Sequence, residues 1–397
     1  MLDRETDRSA PVDLAILGAG PVGMTLARAL AGSGLTIALI DAKPFDKSAQ
    51  QADPRALALS HGTRQLLAAL DAWPQRAATP ITHIHISQRG GFGRTLLDAS
   101  EHRLPALGYV LRYGALSAAL QQSLAAPDHR DSQLRIIDQA AVFAIDTGSD
   151  AATVHYRQQG EAQRLTARLV VHAEGTPGDD PAVNVKDYRQ HAVLAEVRIS
   201  PAHDQRAWER FTPDGPLALL PLDDGLAIVF TVPPAKADML MQLDDAAFLA
   251  ALQNQFGQRL TFTGTGPRSR YPLALRLRKE LVGPREVWIG NSAQTLHPVS
   301  GQGFNLGIRD ARELADALLR DLERDPGDAA RLAAYARQRQ LDRRGSAGFT
   351  DGIVDLFSND IAPLRALRGL GLLALDLCPP ARRFVAKRMI WGARAWP

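Results

Sequence analysis

Two glycine-rich stretches carry the groups from which chemistry can be built. In the first, Gly18-Ala19-Gly20-Pro21-Val22-Gly23 follows the apolar run at residues 13–17. A second apolar run, residues 36–40, then ends on Asp41. Gly18 permits a tight turn, Gly20 lets a pyrophosphate approach the backbone, and Gly23 lets helix and strand pack closely. Asp41 stands where an acid accepts ribose hydroxyls. In the second stretch, residues 287–289 read as a short buried strand that Gly290 ends. The loop from Asn291 to Gly303 is poor in charge, and a helix is expected from about Asn305, with Leu306, Ala311, Leu314 and Leu318 at helical spacing. Gly301 and Gly303 leave no side chain between the loop backbone and whatever lies over it. The free N–H groups and positive end of the helix suit an anionic partner. The first stretch reads as a dinucleotide-binding turn and the second as a further cofactor cradle.

Such cradles need elements to hold them. Apolar runs alternate with helical spacing over residues 12–72, a helix follows Arg112, and residues 168–171 form a strand pattern. This predicts an α/β nucleotide-binding domain, assembled from residues 1–75, 105–180 and 285–340. Short strands at 81–87, 192–199, 217–221, 226–232 and 269–275, with turns such as Asp223-Asp224-Gly225 between them, predict an inserted, mainly antiparallel sheet domain at 76–104 and 181–284. Residues 341–397 read as a helical segment interrupted at Pro363 and at Pro379-Pro380.

Composition narrows the classes. A chain of 397 residues, 45% hydrophobic and 22% charged, matches an ordinary soluble globule of about two domains. A net charge of +3 without a nucleic-acid signature argues against nucleic acid as partner. The single Cys378 excludes an internal disulfide and any cysteine-based metal cluster, which fits the cytoplasm. The first residues are charged and lack the apolar region of a signal peptide. No uncharged apolar run of about 18 residues offers a membrane span. His83 and His85 share one face of a strand without a third ligand nearby, so a solvated sheet face is expected and no metal. No serine stands in a GxSxG turn, which argues against hydrolase chemistry.

The chain resembles the FAD-dependent aromatic hydroxylases of ubiquinone biosynthesis, within the p-hydroxybenzoate-hydroxylase-like flavoprotein superfamily. The branch it resembles is that of the 2-octaprenyl-6-methoxyphenol hydroxylases. The residues that carry this are Gly290-Asn291-Ser292-Ala293-Gln294-Thr295-Leu296-His297-Pro298 and Asp53-Pro54-Arg55-Ala56-Leu57-Ala58-Leu59. Phe211-Thr212-Pro213 with Gly215-Pro216-Leu217-Ala218-Leu219-Leu220-Pro221, and Tyr271-Pro272-Leu273-Ala274-Leu275, follow in the expected order. The resemblance implies a Rossmann-like FAD-binding domain of the GR2 type, an inserted antiparallel β-sheet substrate domain and C-terminal helices. It implies non-covalent FAD, NADH or NADPH as a transient hydride donor, and O2 as the oxygen source for hydroxylating a polyprenylated phenol.

The expected cofactor contacts are Gly18, Gly20, Gly23 and Asp41 in the first cradle and Gly290, Asn291, Gly301, Gln302, Gly303 and Asn305 in the second. The resemblance adds Arg55, Arg112 and Glu174. Glu174-Gly175 stands where the superfamily has Asp-Gly, and Pro177 replaces its serine. Leu217, Leu219, Tyr271 and Pro272 are expected to wall the substrate pocket over a floor at residues 298–303. His297, beside Pro298, is the only titratable side chain between Asn291 and Arg309. It can orient a phenol or shuttle a proton, or equally bond within its own loop. Competing outcomes are a halogenase, a prenyl reductase, or a catalytically idle FAD-binding scaffold of a quinone-synthesis complex. Basic and apolar residues interleave over 361–397, among them Leu364, Arg365, Arg394 and Trp396. That pattern suits contact with an anionic membrane surface or with other ubiquinone-biosynthesis proteins, and predicts a cytoplasmic protein peripheral on the inner membrane. Packing of the same face on the sheet domain or on a second subunit is the alternative.

Overall fold

The parallel sheet is centred on the apolar runs at residues 14–17, 37–40 and 169–171, which are covered on both faces. The computed structural model describes residues 11–45, 55–126, 133–357 and 362–392. Asp53, Pro54, Arg394 and Trp396 lie outside them, as do the side chains of Leu364 and Arg365. Val12–Leu17 lies between Glu161–His172 and Ile37–Ile40, with Glu286–Trp288 beyond the former and Leu134–Ile137 beyond the latter, all parallel. Leu14, Ile16, Leu39, Leu169 and Val171 face the helices Pro21–Ala29, Tyr113–Leu124 and Gln302–Leu319. Their neighbours Ala15, Leu17, Ala38, Ile40 and Val170 face the antiparallel pair Ala140–Thr147 and Ala152–Gln158. Strands covered on both sides have no polar face, hence the continuous apolar runs.

A second sheet runs Gln294–Thr295, Ser269–Arg278, Val183–Ser200, Gly225–Val232, Gly215–Leu222, Arg206–Thr212, His83–Gln88 and Arg94–Asp98, with Thr261–Thr265 also on Val183–Ser200. Only Arg206–Thr212 and His83–Gln88 pair in parallel. One face is closed by the helices Pro234–Gln242 and Asp245–Phe256, whose Phe248 and Leu252 are fully buried with Leu217, Leu219, Ile228 and Phe230. Each such side chain contributes roughly 1.5–3 kcal/mol by leaving water. Against the other face sits a small sheet of Ala56–Ser60, Gly108–Arg112 and Thr79–Ile81, where Ile81 and Val110 pack on Ala207, Leu222 and Ala227.

Several expectations need correction. Residues 81–87 are not one strand. Thr79–Ile81 pairs in the small sheet and His83–Gln88 in the second, the change falling at Thr82, whose N–H donates to the Gln205 carbonyl. His83 is half-buried beside Asp98, but His85 is buried under Arg259, whose Nη1 lies 2.5 Å from its Nε2. Burial first, and Arg259 second, push the His85 pKa down to about 4. The helix of the second cradle begins at Gln302, because Gly301 at φ +59° turns the chain before Asn305 is reached. Helix Ala329–Phe357 runs through residue 341. The interruptions expected at Pro363 and Pro379-Pro380 are present, since separate helices Ala362–Leu377 and Pro379–Trp391 carry these prolines in their first turns. At such positions a missing N–H is no loss, so these prolines start helices.

Candidate cofactor and substrate site

Gly18 leaves its strand at φ +102°, and a Cβ there would meet the Ala173 carbonyl oxygen at 2.5 Å. A Cβ on Gly23 would lie 2.0 Å from the Gly18 carbonyl oxygen. These two glycines let strand, loop and helix touch. Gly20 differs: the atom nearest its missing Cβ is the Tyr113 hydroxyl, at 3.6 Å. The omitted side chain leaves open ground over the start of Pro21–Ala29, a helix with no side-chain cap. Asp41 braces the loop, one carboxylate oxygen accepting the Ala19 N–H at 2.6 Å and the other the Lys43 N–H at 2.8 Å.

Tyr113, which sequence reasoning passed over, carries the Arg55 guanidinium 4.7 Å from its ring centroid. The Tyr113 N–H also donates to the Arg55 carbonyl at 2.7 Å, so ring and cation reach the mouth of the cradle together. A pyrophosphate asks for free N–H donors, a nearby cation and an unobstructed approach. The helix start, Arg55 and Gly20 supply them, so the residues fit FAD.

The second cradle is set by Asp310 on the helix Gln302–Leu319. Asp310 Oδ2 accepts the Gly290 N–H at 3.0 Å and the Gln294 amide at 2.6 Å, while Oδ1 accepts from Arg339 Nε at 2.7 Å. Arg339 is wholly buried and compensates the carboxylate. An acid on the buried face of an amphipathic helix was the signal available in the sequence. Gly301 caps Gln302–Leu319 without any side-chain bond, and a Cβ on Gly303 would find nothing nearer than 3.9 Å.

Most polar groups beside this helix start are already engaged, the buried Gln302 Oε1 excepted. Asn305 Nδ2 donates to the carbonyls of Ala58 at 3.1 Å and Gly301 at 2.6 Å, and its Oδ1 accepts the Ser60 N–H. Gln302 Nε2 donates to the Met389 carbonyl at 3.0 Å. Asn291 is exposed, its amide 3.5 Å from Thr176 Oγ1. What the second cradle offers a ligand is chiefly backbone and an uncapped helix end.

Other expected side chains are engaged within the protein, although the Glu174 backbone adjoins Gly18. Arg112 bonds the inserted sheet through all three guanidinium nitrogens, Nε and Nη2 to Glu196 at 2.9 and 2.8 Å and Nη1 to Asp223 at 2.7 Å. It is a tie between sheets. Glu174 turns to His172 Nδ1 at 3.1 Å, and Glu286 holds Nε2 of the same ring at 2.9 Å. Burial opposes charge on His172, but the two carboxylates outweigh it and raise the pKa.

His297 is buried, and its Nδ1 accepts the Val299 N–H at 3.1 Å across Pro298, so Nε2 carries the proton and has no partner. Burial lowers its pKa to about 4, leaving it neutral and bonded within its own loop. Leu217 and Leu219 point into the helix-covered core of their sheet, since strand residues alternate, and it is Leu220 and Leu222 that face the small sheet. Tyr271 and Pro272 are exposed on Ser269–Arg278.

An apolar cavity of about 70 Å³ lies beside the second cradle. Gly301 and Gln302 form one wall, Ile81 and Ile84 another, and Met389 and Ile390 of the last helix the third. Among the described residues no group of three or more His, Cys, Asp or Glu is placed to hold a metal ion.

Comparisons with known proteins agree with this arrangement. The family model described as FAD binding domain matches residues 11–345. The chain is 31% identical over 394 residues to the 3-demethoxyubiquinol 3-hydroxylase of Escherichia coli, covering 95% of this chain and 98% of that protein. It is 31% identical over 397 residues to the ubiquinone hydroxylase UbiL of Rhodospirillum rubrum, covering 97% and 91%. The solved structure of the p-nitrophenol 4-monooxygenase PnpA of Pseudomonas putida DLL-E4 shares the fold, with a TM-score of 0.76 over 97% of this chain and 99% of that one at 16% identity. With two intact glycine cradles and a family match over most of its length, the chain belongs to the FAD-binding-domain family of flavoprotein hydroxylases.

Proposed function

We propose that this enzyme hydroxylates the ring of a polyprenylated phenol on the way to ubiquinone, using FAD, NADH or NADPH, and O2. The observation that carries the reading is the near full-length likeness to the Escherichia coli hydroxylase. When bound, FAD supplies hydride acceptance from the nicotinamide and activation of O2. The chain's own residues have narrower tasks. Gly20, Arg55 and the start of Pro21–Ala29 hold the pyrophosphate. The uncapped start of Gln302–Leu319 steadies negative charge on the ring system through its N–H groups and dipole. The apolar wall of Ile81, Ile84, Met389 and Ile390 keeps water from the reacting face and accepts the first part of a prenyl tail. In a strain lacking the protein, mass spectrometry should find a prenylated phenol short of one hydroxyl. An unchanged quinone profile would refute the assignment.

The same reading places the C-terminal helices on an anionic membrane surface. Leu367, Leu370, Leu373 and Leu377 form an exposed stripe along Ala362–Leu377, Leu377 being 73% exposed. Phe384, Arg383 and Lys387 are exposed on the following helix. Among the described residues no helix is long and apolar enough to cross a membrane, so the stripe suits lying on the surface. Changing Leu367 and Leu370 to Glu should leave FAD bound and cut co-sedimentation with phosphatidylglycerol vesicles. Unaltered co-sedimentation, or loss of a dimer instead, would overturn the membrane assignment.

A further inference from the structure

The hairpin of His83–Gln88 and Arg94–Asp98 has a second face that none of the tasks above employs. Strand residues alternate, so Ile84 and its partner Leu97 point to the apolar cavity beside Gly301 and Gln302. His85, Leu96 and Arg94 point the opposite way, and so does Arg206, paired with His83 on the neighbouring strand. On that side they line a cavity of about 770 Å³. Its lining is completed by Arg259, just after helix Asp245–Phe256, and by Asp376 and Arg382 of the last two helices. The volume falls within the roughly 300–1,000 Å³ of small-molecule sites.

The arginines of this lining face the carboxylates of Asp98, Glu101, Asp204 and Asp376, yet most of these are engaged elsewhere. Glu101 is held by Arg382, whose Nε and Nη2 lie 3.1 and 2.6 Å from its oxygens. Asp376 Oδ1 accepts the Leu96 N–H at 3.0 Å, and Asp98 accepts the Ser100 N–H and lies 3.4 Å from His83. Asp204, two residues before Arg206, is exposed. Among the described residues no carboxylate pairs with Arg94, Arg206 or Arg259. Arg259 Nη1 donates to Nε2 of the buried His85 at 2.5 Å, and Arg206 Nε is sealed without a hydrogen-bond partner. Three guanidinium groups converging on one cavity repel one another unless an anion joins them, and their forks match phosphate oxygens.

The place of the cavity selects the anion. The hairpin stands between it and the cavity beside the second cradle, so the flavin's own pyrophosphate does not reach it. Leu377, the most exposed leucine of the stripe described above, follows Asp376 directly, and Leu373 and Leu370 continue the stripe one and two turns back. We propose that Arg94, Arg206 and Arg259 form a pocket for the phosphate of a membrane-lipid headgroup, whose acyl chains lie along that stripe. This rests on the membrane reading above. The stripe supplies apolar adhesion, and the pocket turns it into a seat of defined orientation on the surface where a prenylated substrate partitions.

The test uses the full-length, FAD-loaded enzyme and two sets of vesicles matched in surface potential. One set carries phosphatidylglycerol, and the other carries oleate, an anion without phosphate. Wild-type protein should co-sediment more strongly with phosphatidylglycerol, and inorganic phosphate should release it further than chloride at equal ionic strength. Arg206→Gln and Arg259→Gln should each lower binding to phosphatidylglycerol at least about fivefold and remove the preference over oleate. Arg383→Gln, on the exposed face of the last helix, should weaken both lipids alike and keep the preference. Equal wild-type binding to both sets, a measurement that needs no variant to fold, would overturn the pocket while leaving the membrane reading standing. So would a preference untouched in Arg206→Gln and Arg259→Gln. A wild-type enzyme that ignores both sets would remove the membrane reading and the lipid assignment with it, and binding of inorganic phosphate by that enzyme would give the pocket to a soluble phosphate instead.

Discussion

Asn305 accepts the backbone N–H of Ser60 at 2.8 Å across 245 residues of sequence. Ser60 in turn caps the helix His61–Ala68 by accepting the Thr63 N–H. One amide thus aligns the start of the second-cradle helix with the strand Ala56–Ser60, and through it with the small sheet.

Asn305→Leu leaves the Ser60 N–H and the Ala58 carbonyl unpaired, and each such group costs roughly 1–3 kcal/mol. Asn305→Asp keeps the acceptor but turns an anion toward the carbonyls of Ala58 and Gly301. Urea unfolding should show both variants destabilised, with faster FAD release. Wild-type midpoints would mean that this clamp carries no weight.

The glycines of the first cradle should separate by role. Gly23→Ala forces a Cβ into the Gly18 carbonyl and should lower the melting temperature even without FAD. Gly20→Val meets only the Tyr113 hydroxyl, so circular dichroism should stay native while the protein elutes colourless from gel filtration. A yellow Gly20→Val protein would contradict the cradle assignment.

His297 predicts a pH signature. Its folded pKa, lowered to about 4, lies below the ordinary 6.5. The unfolded chain therefore takes up a proton that the fold refuses, and stability falls as pH drops from about 6.5 toward 4. His297→Asn retains an acceptor for the Val299 N–H but cannot charge. Its stability should decline less than wild type over that range, with turnover kept within a few-fold. Parallel unfolding curves would show that the ring is protonated in the fold, and a thousandfold loss of turnover would return it to catalysis.

Gln302→Leu or Gly303→Val should slow flavin reduction or reoxidation more than it weakens FAD affinity, because most of the binding surface lies at the first cradle. Stopped-flow rates at wild-type values, with FAD lost, would make this loop a dinucleotide clamp.

Much of this was legible in the sequence. Strands buried on both faces announce themselves as apolar runs, and Gly18, Gly20 and Gly23 have roles that follow from backbone geometry alone. The facing of Leu217 and Leu219 was not legible. Alternation assigns them one face together but does not say which face the cofactor side is. Gly301 and Gly303 around Gln302 disguised a helix start, because glycine weakens helical patterning. Tyr113 reaches Gly20, and Asn305 reaches Ser60, only through tertiary contacts.

The central claim is oxygen transfer to a prenylated phenol. It is met most directly by incubating the FAD-loaded enzyme with NADH or NADPH, isotopically heavy O2 and a short-chain prenylated 2-methoxyphenol, and weighing the product by mass spectrometry. The account predicts a product with one added oxygen atom, and that atom heavy. Reducing equivalents consumed with peroxide as the sole oxygen product, a halogenated ring, or a saturated prenyl double bond would contradict it.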